Sequence, residues 1–402
     1  LRTLDTNTTN TLAGSRSGDT ITVWARYNGQ LAYPDPLPVS SWSASWDVTR
    51  QIQTLSLEID DPDGTKAPWL LDDPLGVGGA LLQVFYNVGG ASSIPFEWYR
   101  ISENEPDEVW RSYLVTNQGV KNVDSTVPNG YSVAYSSGGA KIQIKAETLP
   151  RNAAISKFIA PTSPPASATV VSEVKRLLTD IMPVTVASGV VDQSVPTNLV
   201  YPDDRLNAVQ DLCKRIGCDY RTNGSGQLEI YPIQSSPVWT LAPGAEGFLV
   251  GVKRSMKLDG LYNVFVVDGT TSSQQPIRGI ATVTGGPLRV NGPHGTYPVF
   301  YSSQMITTQA QADAYAATMR DTQLQGLTVP LVATCLPHPG LQQGDWIWAS
   351  CPTTTPTTIV TFPARITSIS MNGHDGTVDP MTLGLEASYT DVATVFSGVT
   401  RG

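Results

Sequence analysis

The sequence predicts a mainly β protein with a small α/β module, in which two β-barrel-like domains flank a helix-plus-hairpin domain. Three observations lead there. Short stretches of period-two alternation recur at near-regular spacing between residues 20 and 157. Gly 35 and Pro 30 among 402 residues supply turns for many short strands without a collagen-like or disordered composition. Helical patterning is concentrated between residues 158 and 248, behind a proline-rich junction, and strands resume at 249 with one helix among them.

Residues 1–19 are rich in Ser, Thr, Asn and Gly, which predicts a flexible arm. In the first β-barrel-like domain, residues 20–157, Thr20–Tyr27 sets Ile21, Val23 and Ala25 on one face. Asn28-Gly29 then turns the chain toward Gln30–Tyr33. Gln51–Asp60 has the clearest alternation, with Leu55, Leu57 and Ile59 against Thr54, Ser56 and Glu58. Asp61-Pro62-Asp63-Gly64 closes it, Pro fixing φ and Gly allowing the bend. Further strands are expected at Leu81–Val88, Phe96–Ile101, Tyr113–Thr116, Tyr131–Tyr135 and Lys141–Ala146.

Pro161, Pro164 and Pro165 mark the junction to the middle domain, residues 158–248. Thr169 caps a helix whose apolar side is Val170, Val174, Leu177, Leu178 and Ile181. A second helix follows Asp203-Asp204 with Leu206, Val209, Leu212, Cys213 and Ile216 inward, and Gly217 ends it. Cys218–Arg221 and Gln227–Pro232 form a hairpin across Asn223–Gly226. In the last domain, residues 249–402, strands are expected at Leu249–Arg254, Asn263–Asp268, Ile277–Val283, Thr328–Cys335, Asp345–Ala349, Ile359–Ser370 and Met381–Ser388. One helix capped by Thr307 or Thr308 turns Ala312, Tyr315, Ala316 and Met319 inward.

Composition excludes several functions. Lys+Arg 26 against Asp+Glu 35 leaves a net charge of −9, and so acidic and charge-poor a chain is a poor candidate for gripping nucleic acid, which needs clustered cations. No apolar run is long enough to span a membrane, and residues 1–20 carry no secretory h-region. Cys213, Cys218, Cys335 and Cys351 with His294, His338 and His374 lack metal-site spacing, so no metal and no cofactor are expected.

Catalytic motifs fail one by one. Gly14-Ser15-Arg16-Ser17-Gly18 has arginine where a nucleophile elbow needs serine. Asp60–Gly64 cannot begin an EF-hand, since the first and twelfth ligand positions would be Ile59 and Leu70. His294 and His338 lie in Pro/Gly turns without an orienting carboxylate nearby in sequence. Asn223-Gly224-Ser225 matches a glycosylation acceptor and has no secretory context. A sugar cleft lined by Glu97, Glu103, Glu105 and Asp107 beside Trp98 and Trp110 is the strongest enzymatic candidate. Its bland counterpart is an acidic loop with two packed tryptophans. No residue is assigned as catalytic.

Three segments together resemble tail-hub (baseplate-hub) proteins of tailed bacteriophages, particularly minor tail proteins of long-tailed phages of actinobacteria. The first is Thr54–Gly64 followed by Asp72-Asp73-Pro74-Leu75-Gly76 and the strand Leu81–Tyr86. The second is Leu206–Ile230, and the third is Leu336–Trp348 with Pro-Gly-Leu-Gln-Gln-Gly-Asp-Trp-Ile-Trp, preceded by the helix Gln309–Gln323. The resemblance implies a structural role in the virion tail tip, without enzymatic activity. It implies a homotrimeric ring meeting the distal tail protein, tail tube and tape-measure protein on one side and fibre or spike proteins on the other. DNA would only pass through during genome ejection, and acids lining the ring would repel its phosphates. The alternative is a cell-wall-binding or peptidoglycan/glycan-degrading tail protein.

Overall fold

In a computed structural model, residues 2–396 are described except 3, 14–17, 50–51, 90–91, 119–120, 122–125, 197–198, 234–235, 245–246, 256–259, 272, 304–305 and 353–357. The chain runs α1 (Thr6–Ala13), β1 (Thr20–Tyr27), β2 (Gln30–Leu31), β3 (Val39–Asp47), β4 (Thr54–Asp61), β5 (Leu81–Val88), β6 (Ser92–Thr116) and β7 (Tyr131–Thr148). Next come α2 (Pro150–Ile155), α3 (Val170–Leu178), β8 (Val184–Val186), α4 (Arg205–Arg215), β9 (Cys218–Thr222), β10 (Leu228–Pro232), β11 (Trp239–Leu241) and β12 (Leu249–Arg254). The last third holds β13 (Val264–Thr270), β14 (Pro276–Thr282), β15 (Pro298–Ser302), α5 (Gln309–Gln325), β16 (Thr328–Cys335), β17 (Trp346–Pro352), β18 (Ile359–His374), β19 (Met381–Ser388) and α6 (Tyr389–Phe396). The protein is mainly β, as its alternation predicts.

The chain folds into two units, each built from segments distant in sequence. One comprises residues 1–251, 333–347 and 365–384; the other comprises 252–332, 348–364 and 385–402. In the first, antiparallel pairing gives the strand order β18-β3-β4-β7-β6-β5-β1-β2. The path is open, and no closed barrel forms among the described residues. Beside the two-residue β2, the start of β1 meets the segment after β18 at the single Thr20–Thr377 bridge, where the Ile21 amide donates to the Gly376 carbonyl at 2.7 Å and the Val378 amide to the Asp19 carbonyl at 3.0 Å.

Alternation decides the faces. Leu55, Leu57 and Ile59 of β4 are buried, as are Ile142, Ile144 and Ala146 of β7 and Trp42, Ala44 and Trp46 of β3. β3 lacks β-branched residues at most positions, and the serines between its inward residues hide it from propensity, although its alternation is plain. The stretches expected as four strands, from Phe96 to Ala146, join into the two long strands β6 and β7. Bulges at Ile101/Glu103 and Glu108/Trp110 interrupt the apolar pattern without ending the pairing.

The helix-plus-hairpin module forms as its sequence indicates. A capping box between Thr169 and Ser172 starts α3, and Asp204 caps α4 through the Asn207 amide. Val174, Leu177, Leu212, Cys213 and Ile230 pack into one core, with β8 added in parallel to the β9–β10 hairpin. At the N-terminal end of the chain, the segment expected as a flexible arm contains α1, with Thr8 and Leu12 buried. Asp5 caps that turn by accepting from the Thr8 amide at 2.8 Å and its hydroxyl at 2.6 Å. Local polar chemistry thus orders a segment whose composition reads as loose.

The second unit centres on the sheet β14-β13-β15 and helix α5. Thr308 and Gln311 form the capping box of α5, and Ala312 and Ala316 face Phe265, Val267 and Ile277. Small residues on the helix match Gly279 on β14, where an added Cβ would lie 2.3 Å from the Ala312 carbonyl carbon. No described helix is long and apolar enough to cross a membrane.

Candidate functional site: an acidic sheet face

With the apolar residues of β3, β4 and β7 turned into the core, their alternate residues form a polar face. Across it, Asp107 opposes Lys141 and Asp60; Glu105 opposes Gln143 and Glu58; Glu103 opposes Lys145 and Ser56. The rows continue over β3 and β18 through Ser41 to His374 and through Ser43 to Asn372. Five carboxylates, Glu58, Asp60, Glu103, Glu105 and Asp107, therefore share this face with Lys141 and Lys145.

The lysines sit between the acids. Lys141 Nζ lies 3.3 Å from Glu58 Oε1 and 3.8 Å from Asp60 Oδ1, and Lys145 Nζ lies 2.8 Å from Glu103 Oε2. The hydrogen bond and charge of Lys145 hold the Glu103 carboxyl below its ordinary value, and Glu103 raises Lys145 in return. Both groups stay charged, and the surplus on this face is negative. A depression of about 410 Å³, with Trp42, Glu58, Glu103, Glu105, Lys145 and His374 among its walls, opens here.

Of the sugar-cleft candidates, Glu103, Glu105 and Asp107 come together on this face, while Glu97, Trp98 and Trp110 do not join them. Glu97, Tyr99 and Ile101 point inward, and the bulge between Ile101 and Glu103 reverses the strand's alternation, so Glu103, Glu105 and Asp107 point outward. Trp98 donates from Nε1 to the Gly224 carbonyl at 3.1 Å, while Trp110 stands 54% exposed farther along β6. Glu97 is 1% exposed. Its Oε2 accepts from the Thr222 hydroxyl at 2.8 Å and lies 3.7 Å from Arg2 Nη2. Burial pushes the Glu97 carboxyl up to about 7, with Arg2, the Trp98 amide and Thr222 opposing that rise. Burial likewise lowers the Arg2 guanidinium, which stacks 4.2 Å from the Phe96 ring centroid.

The histidines and cysteines are placed by packing. His338 is buried against Trp239 and Phe248, and its Nδ1 accepts from the Gly340 amide at 3.2 Å. His294 Nε2 lies 3.1 Å from the Leu261 carbonyl, and His374 is on the acidic face. Cys213, Cys218 and Cys335 are buried, and burial raises each thiol. Among the described residues no three His, Cys, Asp or Glu side chains cluster as metal ligands. Within the Asp60–Gly64 segment, Asp60 and Asp61 end β4 and Asp61 begins the turn, the Gly64 amide donating to the Asp61 carbonyl at 3.1 Å. Of Gly14–Gly18, residues 14–17 lie outside the described residues.

The polarity of the β18–β3–β4–β7–β6 face as a whole is not apparent from the sequence. Its signal was the outward half of each alternation, which acquires meaning only when strand order is known.

No protein-family model matches the chain, and no curated protein matches it at a significant level. Solved structures do. It resembles a tail protein from Neisseria meningitidis MC58 with TM-score 0.53 at 12% identity, covering 94% of this chain and 99% of that one. It also resembles the 43 kDa tail protein of prophage MuSo2 from Shewanella oneidensis, with TM-score 0.54 at 11% identity over 92% of this chain and 96% of that one. A chain of a lidless PdpA-VgrG complex matches with TM-score 0.50 at 9% identity, over 96% of this chain and 66% of that one. End-to-end coverage in both directions with two tail proteins leads to one conclusion: the chain has the fold of phage tail proteins.

Proposed function

We propose that the chain is a structural hub subunit at the tip of a phage-type tail. Three copies would form a ring joining the tail tube and distal tail protein to the fibres or spike. The observation that carries this reading is the whole-length fold match to two tail proteins. Such a subunit works by assembly, without turnover. Its acidic sheet face lines the passage for DNA: Glu58, Asp60, Glu103, Glu105 and Asp107 present a negative field against which phosphates slide without binding.

Quantitative mass spectrometry of purified tails is the test. Three copies per tail, with antibody labelling at one end only, are expected; absence from the particle would overturn the reading. Reversing Glu105 and Asp107 to Lys slows genome ejection if this face lines the channel.

A glycan-cleaving role would have to use Glu103 and Glu105 in the depression beside Trp42. Lys145 keeps Glu103 ionised, the wrong state for a general acid. Release of soluble fragments from peptidoglycan, lost in Glu103→Gln, would bring that reading forward.

A further inference from the structure

Beyond the sheet, β6 and β7 continue as a two-stranded ribbon. β5 pairs with β6 only as far as Arg100, and β4 pairs with β7 only from Ala140 to Glu147. From Trp110 to Thr116 and from Tyr131 to Ser137 the two strands pair with each other. A two-stranded ribbon alone is marginal in water. This one nonetheless exposes apolar groups, and one of its faces carries Val109, Arg111, Tyr113 and Val115 in alternation. Val109 is 56% exposed, Tyr113 51% and Val115 40%. This row of three apolar groups and one cation stands opposite the small residues Ser136, Ala134 and Ser132 of β7.

The same chain presents a knob of opposite charge. Trp69, Leu70 and Leu71 are 77%, 64% and 71% exposed, followed by the exposed Asp72. The knob is held in shape from within. Asp73 Oδ2 accepts from the Trp69 and Leu70 amides, both at 2.7 Å. The Leu71 carbonyl accepts from the Gly78 amide at 2.7 Å, and a Cβ on Gly76 or Gly78 would approach that oxygen to 2.4 Å. Three consecutive apolar side chains fixed outward in this way are a preformed contact, since little ordering entropy remains to be lost.

We propose that the Arg111 face of the ribbon docks on the Trp69–Asp72 knob of a second copy of this chain. Three apolar groups and one cation meet three apolar groups and one anion. The contact is heterologous, ribbon to knob, so each copy has both halves to offer and the assembly closes as a ring when the rotation permits. This rests on the ring-forming reading above and gives it a surface.

The test is sedimentation of the full chain across a wide concentration range, with thermal melts confirming that each variant is folded. Trp69→Ser and Tyr113→Ser are each expected to raise the dissociation constant by about ten-fold or more, as for central interface anchors. Arg111→Glu weakens association likewise, and adding Asp72→Lys restores it. In mixtures, Tyr113→Cys on one copy cross-links to Leu71→Cys on another. Three outcomes overturn the contact: a strict monomer at every concentration, variants that associate like the parent, or cross-linking of Tyr113→Cys chains to one another only. If the protein is nevertheless found at the tail tip, the hub reading stands and only this contact falls. Absence from tails with the ribbon–knob cross-link present removes the hub and keeps the contact.

Discussion

The Thr222 hydroxyl donates to the buried Glu97 carboxyl group at 2.8 Å, tying β9 of the helix-plus-hairpin module to β6 of the large sheet. Around it, Arg2 reaches the Gly340 carbonyl from its amide at 2.7 Å and the Glu97 carboxyl from its side chain. Arg221 pairs with Glu229 at 2.8 Å and Asp345 at 3.4 Å. Segments far apart in sequence thus converge on one buried polar network. Such a network is costly when one member is removed, because the others stay buried without partners.

Glu97 makes stability pH-dependent. Its carboxyl rises from 4.5 in the unfolded reference to about 7 in the native state, through burial. The folded protein therefore holds a proton that the unfolded chain has already released. The resulting stabilisation is complete below pH 4.5 and is lost as pH rises through about 7. It amounts to on the order of 3 kcal/mol by the usual conversion. Urea unfolding between these limits should show this decline, and Glu97→Gln should flatten it. A parent profile that does not fall across this window would disprove the assignment.

The acidic face should repel nucleic acid. Glu58→Lys with Glu105→Lys and Asp107→Lys converts three carboxylates beside Lys141 and Lys145 into cations. Gel-shift assays should find no DNA retention by the parent and salt-sensitive retention by the variant. Equal behaviour of the two would overturn the proposed role of this face toward DNA.

Gly279 has no room for a side chain. Its Cβ would meet the backbone of α5 at Ala312. Gly279→Ala should destabilise the protein by about 1–3 kcal/mol, the usual cost of overpacking. A melt unchanged from the parent would show that α5 gives way freely.

Gly344 is constrained twice. Its φ is +85°, and an added Cβ would lie 2.7 Å from Tyr231 Oη. The same turn presents Asp345, whose Oδ2 accepts from the Gln342 amide at 3.0 Å. Gly344→Ala should cost about 1–3 kcal/mol from backbone strain. Part of that loss should recur in Asp345→Asn, because the Arg221 pairing is weakened too. Chemical denaturation of both variants checks the pair.

How much of this was legible beforehand follows from the range of each interaction. β1, β5, α3, α4, β9 and β10 are written in local alternation, capping residues and turn chemistry, and they formed where those signals stand. The inward faces of β4 and β7 were likewise fixed by side-chain period alone. α1 and β3 were missed because their ordering residues, Asp5 and the buried Trp42 and Trp46, lie among polar residues of low propensity. The acids show the limit most clearly. Residues 97, 103, 105 and 107 share one parity, so a straight strand would set all four carboxylates on one face. The bulge at Ser102 exchanges the faces, burying Glu97 beside Arg2 and Thr222 and turning Glu103, Glu105 and Asp107 to solvent. One residue of register is invisible to composition and spacing, because it is set by what packs against the strand. Alternation and capping act over a few residues, so the sequence by itself determined the elements and their apolar sides. Strand order, the bulge and the meeting of Glu97 with Thr222 depend on contacts between distant segments, and only the tertiary structure decided them.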